Sequence, residues 1–453
     1  MAIGIPRQKI GVDKSPVTLQ YPDKKSRQQV IEGKTIPLLK IHQGMDQKRL
    51  YFGDNLDILR CLLQDESIKG QVKLIYIDPP FATQSEFFSR KQRQAYSDTL
   101  TGSQFIDFLR DRLIILHELL SDQGSLYLHL DEKMIFAAKI ILDEIFGASN
   151  YRNLIIRQKC NPKNYTRKAY GKTADFILFY TKTDRYIWNP PVEKLSEKSL
   201  KEYQYIEPET GRKFMKVPLH APGTRNGETG KPWRGILPPP GKHWQYPPAK
   251  LDEMDARGEI FWSKNGNPRR KVYLDQHPGM GVQDIWLDFR DAHNQNIKIT
   301  GYPTEKNPDL LRRIVAASSN PGDLVLDCFA GSGTTLAVAD ELQRNWIGVD
   351  NSPEAFATIL ERFHRGLQPM GDYSQHRRKW EDRYEDQYIQ RSLFELMGNQ
   401  GLNEGLNQDE TNIPESIVTD FSVYIDRDRI AEIRHIIDRT SFPQGFPPIS
   451  TDP

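Results

Sequence analysis

Asp78-Pro79-Pro80-Phe81, at the end of the apolar run from Val72 to Ile77, places two hydrogen-bond acceptors next to an aromatic ring. An ionised Asp78 carboxylate accepts protons only. The Pro79 carbonyl is a second acceptor, in a turn that Pro80 stiffens and deprives of an N–H, and Phe81 offers a stacking face. Such a set grips a planar amine, and the exocyclic amino group of a base fits it. Asp followed by proline is also an ordinary way to leave a strand and enter a turn, so the tetrapeptide alone leaves both readings open.

A second motif, Asp327-Cys328-Phe329-Ala330-Gly331-Ser332-Gly333-Thr334-Thr335, shifts the balance. Strand-like Asp323 to Leu326 precedes it and helix-like Leu336 to Leu342 follows, which reads as strand, glycine turn, helix. Gly331 and Gly333 allow close backbone approach to a ligand, and the helix start presents free N–H groups. Asn345 to Val349 reads as a second strand, and Asp350 follows about 20 residues after the first glycine, where a carboxylate can bind ribose hydroxyls. The lysine of a phosphate-binding P-loop is missing and Leu336 stands in the place of a third glycine, which favours a nucleoside cofactor without phosphates over a pyrophosphate.

Together these residues resemble the amino-DNA methyltransferases, with a DPPY-type catalytic tetrapeptide and an FxGxG cofactor loop. The order of the motifs, catalytic first and cofactor second with a long segment between them, is similar to the β class of that family. Tyr51-Phe52-Gly53-Asp54-Asn55-Leu56 resembles the segment upstream of the catalytic strand, and Gly301 to Lys306 with Leu310 to Ile314 resembles the one before the cofactor strand. Three positions depart from the pattern: Phe81 replaces a tyrosine, and Asn307 and Cys328 each stand where proline is usual.

The resemblance implies an α/β, Rossmann-like, S-adenosylmethionine-dependent methyltransferase sheet, circularly permuted, with an inserted target-recognition region. It implies methyl transfer from S-adenosyl-L-methionine to the N6 amino group of a flipped adenine, since Asp at the first motif position is similar to adenine enzymes and Ser to cytosine-N4 enzymes. Asp78, Pro79, Pro80 and Phe81 would be catalytic. Asp327, Phe329, Ala330, Gly331, Ser332, Gly333 and Thr334 would line the cofactor site, Asp350 would hold the ribose, and Asp54 and Thr304 would border the pocket. The implied partners are double-stranded DNA, with a second copy of the chain and a cognate restriction endonuclease left open. A cytosine-N4 enzyme, an RNA methyltransferase, a nicotinamide-dependent oxidoreductase and a silent nucleic-acid-binding module remain as alternatives.

The elements that must position these residues alternate. Strands are expected at Arg49 to Phe52, Val72 to Ile77, Ser125 to Leu130, Asn153 to Gln158, Phe176 to Tyr180, Leu324 to Asp327 and Trp346 to Val349. Phe105, Phe108, Leu109, Arg112, Leu113 and Leu116 recur at helical spacing, predicting a helix on the sheet with its charges in solvent. In the family's fold the Val72 and Leu324 strands are neighbours at the point where strand order reverses, which would bring Asp78 close to Gly331.

The 453 residues, 27% of them charged, suffice for two or three domains. No membrane span or apolar leader is visible, and Cys61, Cys160 and Cys328 lack metal-ligand or disulfide spacing, which fits a reducing cytoplasm. No metal site is expected, and His129 beside Asp131 reads as a polar pair at a strand end. Net charge is +2, yet residues 151–250 hold 20 lysines and arginines against 8 acidic residues. With Tyr165, Tyr170, Trp233 and Trp244 this segment suits a phosphate-tracking surface with stacking side chains, or a loop-rich insertion whose tryptophans form a small core. The expected organisation is an N-terminal arm at 1–47, a catalytic half at 48–190, target recognition at 191–295, a cofactor half at 296–390, a linker at 391–414 and a C-terminal appendage at 415–453 with a short strand and helix. Disorder is the expectation for the arm.

Overall fold

The computed structural model describes residues 17–80, 85–88, 94–98, 102–162, 168–291, 300–303, 305–367, 418 and 420–438. Phe81, Thr304, Tyr165 and the stretch 391–414 lie outside them. Ten strands form the main sheet: β1 (Leu38–His42), β2 (Lys48–Phe52), β3 (Val72–Ile77), β4 (Leu120–Leu130), β5 (Tyr151–Gln158), β6 (Ala174–Thr181), β7 (Ile285–Trp286), β8 (Leu324–Asp327), β9 (Asn345–Asp350) and β10 (Ser422–Asp426). Their spatial order is β1-β10-β2-β9-β8-β3-β4-β6-β5-β7. The six strands from β10 to β4 run parallel, whereas β6 is antiparallel to both β4 and β5.

Buried parallel strands read as continuous apolar runs. In β3 all residues but Lys73 are buried, and in β8 Val325, Leu326 and Asp327 are. Helices Asn55–Leu63, Gly102–Leu119 and Ile135–Phe146 join Ile75, Ile77, Leu126 and Leu128 in one core. Helices Pro308–Ser318, Thr334–Glu341 and Pro353–Arg365 bury Leu311, Leu336 and Phe356 among others. Sequence order reverses between β8 and β3: the chain moves outward from β3 to β4 on one side and from β8 to β9 on the other. This is the crevice at which doubly wound sheets bind ligands.

Two expectations need correction. The Gly102–Leu119 helix does bury Phe105, Leu109, Leu113 and Leu116, but its charges do not all face solvent. Arg110, Asp111 and Arg112 are buried, paired with Glu144, Lys25 and Asp54 in turn, because neighbouring segments supply counter-charges over that face. Residues 17–47 are ordered rather than a tail: helix Arg27–Ile31 has a Ser26 capping box, Lys24 and Arg27 pair with Glu144 and Glu118, and β1 enters the sheet. Polar residues lacking periodicity folded here because their partners lie elsewhere in the chain. The short strand and helix expected near the end of the chain are present as Ser422–Asp426 and Ile430–Ile437, and the strand is inserted between β1 and β2, with Tyr424 stacked on Tyr51 at 4.8 Å.

The chain divides into two compact units, and Val192–Val282 makes the described part of the second. There Tyr205–Ile206, Lys213–Pro218, Pro268–Tyr273 and Ile260–Trp262 form a four-stranded antiparallel sheet. Trp233 and Trp244 are 1% and 2% exposed and pack with Leu219, Leu251, Met254 and Ile260. They are core, not a stacking surface, and burying such large rings is what a unit of this size needs to cohere. Tyr170, in the first unit, is exposed.

Candidate active site

Three parallel strands, β3, β8 and β9, end on the same edge of the sheet, and each delivers an aspartate: Asp78 one residue past β3, Asp327 closing β8 and Asp350 closing β9. A single cavity is lined there by Asp78, Pro79, Pro80, Asp327, Phe329 and Ala330, and further round by Gly331, Ser332, Thr334 and Asp350. The two motifs, some 250 positions apart in sequence, therefore share one wall-to-wall space. Gly333 and Asp54 stand outside that lining.

The glycine turn is shaped by sterics. Gly331 has φ +54° and Gly333 φ +76°, left-handed values that disfavour a Cβ. A Cβ on Gly331 would also face the Tyr302 ring at 3.5 Å, and one on Gly333 would press on Ile359 at 3.0 Å. The missing third glycine is compensated on the neighbouring strand: Gly348 of β9 leaves room for the Leu336 side chain, so helix Thr334–Glu341 still packs closely.

The carboxylates are held differently. Asp78 Oδ2 is paired with the Lys306 ammonium, while Oδ1 is buried without a hydrogen-bond partner among the described residues. Asp327 accepts from Thr335 Oγ1 at 2.6 Å and from the Phe329 N–H at 2.9 Å, yet burial pushes its carboxyl up to about 7. Asp350 accepts from the Gly331 and Ser352 N–H groups at 2.8 and 2.9 Å, and burial pushes it up to about 6. Asp350 thus fixes the glycine turn while lining the cavity.

A second layer braces these groups, and little of it was visible as function in the sequence. Asp54 caps helix Asn55–Leu63 by accepting from Leu56 N–H at 2.8 Å and meets Arg112, whose guanidinium also bonds Asn55. Asn55 Nδ2 in turn donates to the Cys328 carbonyl at 2.7 Å, so Asp54 reaches the turn after β8 through two intermediaries. Arg362, fully buried, bonds Thr334 Oγ1 at 2.9 Å and lies 3.5 Å from Glu305. Asn307, where proline was expected, is the N-cap of helix Pro308–Ser318, and Pro308 takes the first helical position instead. The pairing of Lys306 with Asp78 had no local signal, since it joins a loop to a strand end over more than 200 positions. His129 does not pair with Asp131; it bonds Tyr76 at 2.8 Å and lies 3.0 Å from Asp175, and Asp131 accepts from Lys133 N–H. The alternation of β4 sends His129 inward, which a neighbour-in-sequence argument misses.

With this geometry in place, comparison with known proteins is decisive. Residues 72–361 match the family described as DNA methylase, whose targets are N6 and N4 amino groups. The chain belongs to the N6/N4 DNA methylases. It is 42% identical over 418 residues, 90% of this chain and 87% of the relative, to the type II methyltransferase M.EcaI of Enterobacter cloacae. It is 28% identical to the type III restriction-modification StyLTI Mod subunit of Salmonella typhimurium over 62% of this chain and 48% of that protein. It is 27% identical to the type II methyltransferase M.KpnI of Klebsiella pneumoniae over 64% of this chain and 76% of that protein. As a DNA methylase this chain depends on S-adenosylmethionine. Among the described residues, no group of His, Cys, Asp and Glu side chains could hold a metal ion, and no helix is long and apolar enough to cross a membrane.

The residues present suit that cofactor. A turn without Cβ atoms at Gly331 admits a flat nucleoside edge, Asp350 offers carboxylate lone pairs for hydroxyls, and the carboxylates on this side suit a ligand bearing positive charge.

Proposed function

We propose that this DNA methylase is adenine-specific, methylating N6 of an adenine turned out of the duplex. One observation carries the reading: Asp78-Pro79 and the Asp327–Gly331 turn, at the ends of adjacent parallel strands, line the same cavity. Bound S-adenosylmethionine supplies an electrophilic methyl group on a sulfonium. The chain's own residues make the amine ready for it. Asp78 Oδ1, the oxygen not taken by Lys306, and the Pro79 carbonyl would accept the two amino N–H groups. Drawing both N–H groups out of the ring plane favours a pyramidal nitrogen whose lone pair can attack. Phe81 would stack on the extruded base and offset part of a flipping cost of a few kcal/mol.

Asp350 would hold the ribose, and Phe329, Ala330, Ser332 and Thr334 would surround the amino-acid end near Asp327. Asp at position 78, where cytosine-N4 enzymes resemble one another in having Ser, supports adenine. The names of the relatives, type II methyltransferases and a type III Mod subunit, support a place beside a cognate restriction endonuclease with double-stranded DNA as substrate. Modification-sensitive single-molecule sequencing of DNA from a methylase-free host expressing the chain, beside one expressing Asp78→Ala, tests this. Methylated adenine in one short motif, lost in the variant, is the expected result; methyl on cytosine N4 overturns the base assignment, and unmodified DNA overturns the reading.

A further inference from the structure

A row of buried polar side chains runs from the wall of the cavity into the sheet, and the chemistry above leaves it without a task. Tyr76 of β3, His129 of β4, Asp175 of β6 and Arg157 of β5 lie on four successive strands, and Asp175 and Arg157 are cross-strand partners. The His129 and Arg157 side chains are fully buried. Arg157 Nη1 reaches Asp175 Oδ2 at 2.9 Å, and its other donors go to Asp291 at 2.8 Å and the Phe289 carbonyl at 2.6 Å. Burying a guanidinium, a carboxylate and an imidazole together is costly unless each is paired, and such rows persist where they hold something in place.

The row fixes proton positions in sequence. Burial alone would raise the Asp175 carboxyl, but His129 and Arg157 outweigh it and hold it well below the usual carboxylate range. His129 Nε2 lies 3.0 Å from Asp175 Oδ2, an ion-pair contact that lacks hydrogen-bond alignment, and an ionised Asp175 only accepts. With the ring proton on Nε2, Nδ1 is the acceptor and the Tyr76 hydroxyl, 2.8 Å away, its donor, an assignment that the ring tautomer decides. Asp78 Oδ1 lies 3.9 Å from that Nδ1, beyond hydrogen-bond reach. Among the described residues, His129 is thereby turned away from Oδ1, while Lys306 occupies Oδ2.

We infer that His129 is a positioning residue for methyl transfer: it takes the Tyr76 hydroxyl proton, is itself fixed by Asp175 and Arg157, and so reserves Asp78 Oδ1 as an acceptor for the substrate amine. The inference rests on the reading of Asp78 as the amine acceptor. Tyr76 lines the same cavity as Asp78, so without the row its hydroxyl would be free to turn its proton toward Asp78 and compete with the substrate.

The test compares purified wild type, Tyr76→Phe, His129→Gln, His129→Asn and the Tyr76→Phe/His129→Gln double variant, reading kcat, the KM values for duplex DNA and S-adenosylmethionine, and melting temperature. A glutamine amide overlays Nε2 and keeps Asp175 partnered but leaves Tyr76 without its acceptor; an asparagine amide overlays Nδ1 and restores it. Expected are losses in kcat of roughly tenfold or more for His129→Gln, as misplacement at a reacting centre produces, with the KM for S-adenosylmethionine unchanged and recovery in His129→Asn. Tyr76→Phe, which removes the competing hydroxyl altogether, keeps kcat near wild type and rescues His129→Gln in the double variant. A folded His129→Gln with wild-type kcat, or a double variant as slow as His129→Gln, overturns the inference while leaving the methylase reading intact. If His129→Gln does not fold, His129→Leu with and without Tyr76→Phe takes its place, and failure of Tyr76→Phe to restore kcat decides against. A wild type that transfers no methyl group overturns the underlying reading and this inference with it.

Discussion

The β3 end of the cavity and its β8–β9 end use the same residue type at the same place, an aspartate leaving a parallel strand, and wire it in opposite ways. Asp78 faces an ammonium on one oxygen while its other, buried oxygen has no hydrogen-bond partner among the described residues, whereas Asp327 and Asp350 are knitted into the glycine turn by backbone N–H groups and a hydroxyl. Under the proposed function, the contrast would separate an aspartate kept for the substrate from aspartates that first shape a loop. It also explains why burial dominates at Asp327 and Asp350: neutral donors offset only part of the lost hydration.

The largest effect belongs to Asp78. Asp78→Ala is expected to lower the methylation rate by about 10²–10³-fold, the range seen on removing one oriented polar group from a reacting centre, while S-adenosylmethionine still binds. Loss of cofactor binding in that variant, measured by calorimetry, would erase the distinction between the two ends. The converse substitution, Asp350→Ala, is expected to weaken S-adenosylmethionine binding by about 10–100-fold, as for charged hydrogen bonds, with much of the rate regained at saturating cofactor. Gly333→Ala tests the turn itself: its left-handed φ of +76° and the approach to Ile359 predict a loss of about 1–2 kcal/mol in denaturant unfolding.

The smallest effect is a pH slope. Asp350 is raised in the folded, ligand-free protein to about 6, so between the ordinary carboxylate range and that value the folded state binds more protons than the unfolded state. Its contribution to stability therefore declines as pH rises through that window. Asp350→Asn removes the titration, and the variant's melting temperature relative to wild type is expected to rise between pH 4.5 and about 7. A difference that stays flat or falls would mean that the carboxylate is not strained by burial.

Much of this arrangement was legible beforehand, and the exceptions share a cause. β3 and β8 lie where their apolar runs placed them, because a strand buried on both faces announces itself in consecutive residues. Asp78, Asp327, Gly331 and Asp350 stood out because turn and strand-end chemistry is local. Lys306, Arg112, Arg362 and His129 did not, because a buried charge is intelligible only beside its partner, and each partner here comes from a different element. The same holds for Trp233 and Trp244, which in a basic segment could equally stack outward or pack inward until the second unit's core was seen to enclose them.

By itself, then, the amino-acid sequence determined the strand and helix succession, the two motifs with their acceptors and glycines, and through them the resemblance to DNA methylases. Tertiary structure alone decided that Ser422–Asp426 enters the sheet between β1 and β2, that Asp54 reaches the Cys328 carbonyl through Arg112 and Asn55 without lining the cavity, and that Lys306 takes one Asp78 oxygen while the other is buried without a hydrogen-bond partner among the described residues. The division follows from range: backbone preference and hydrophobic period are written within a few residues, whereas the pairing of buried charges is set by which distant segments the sheet order brings within a few ångströms.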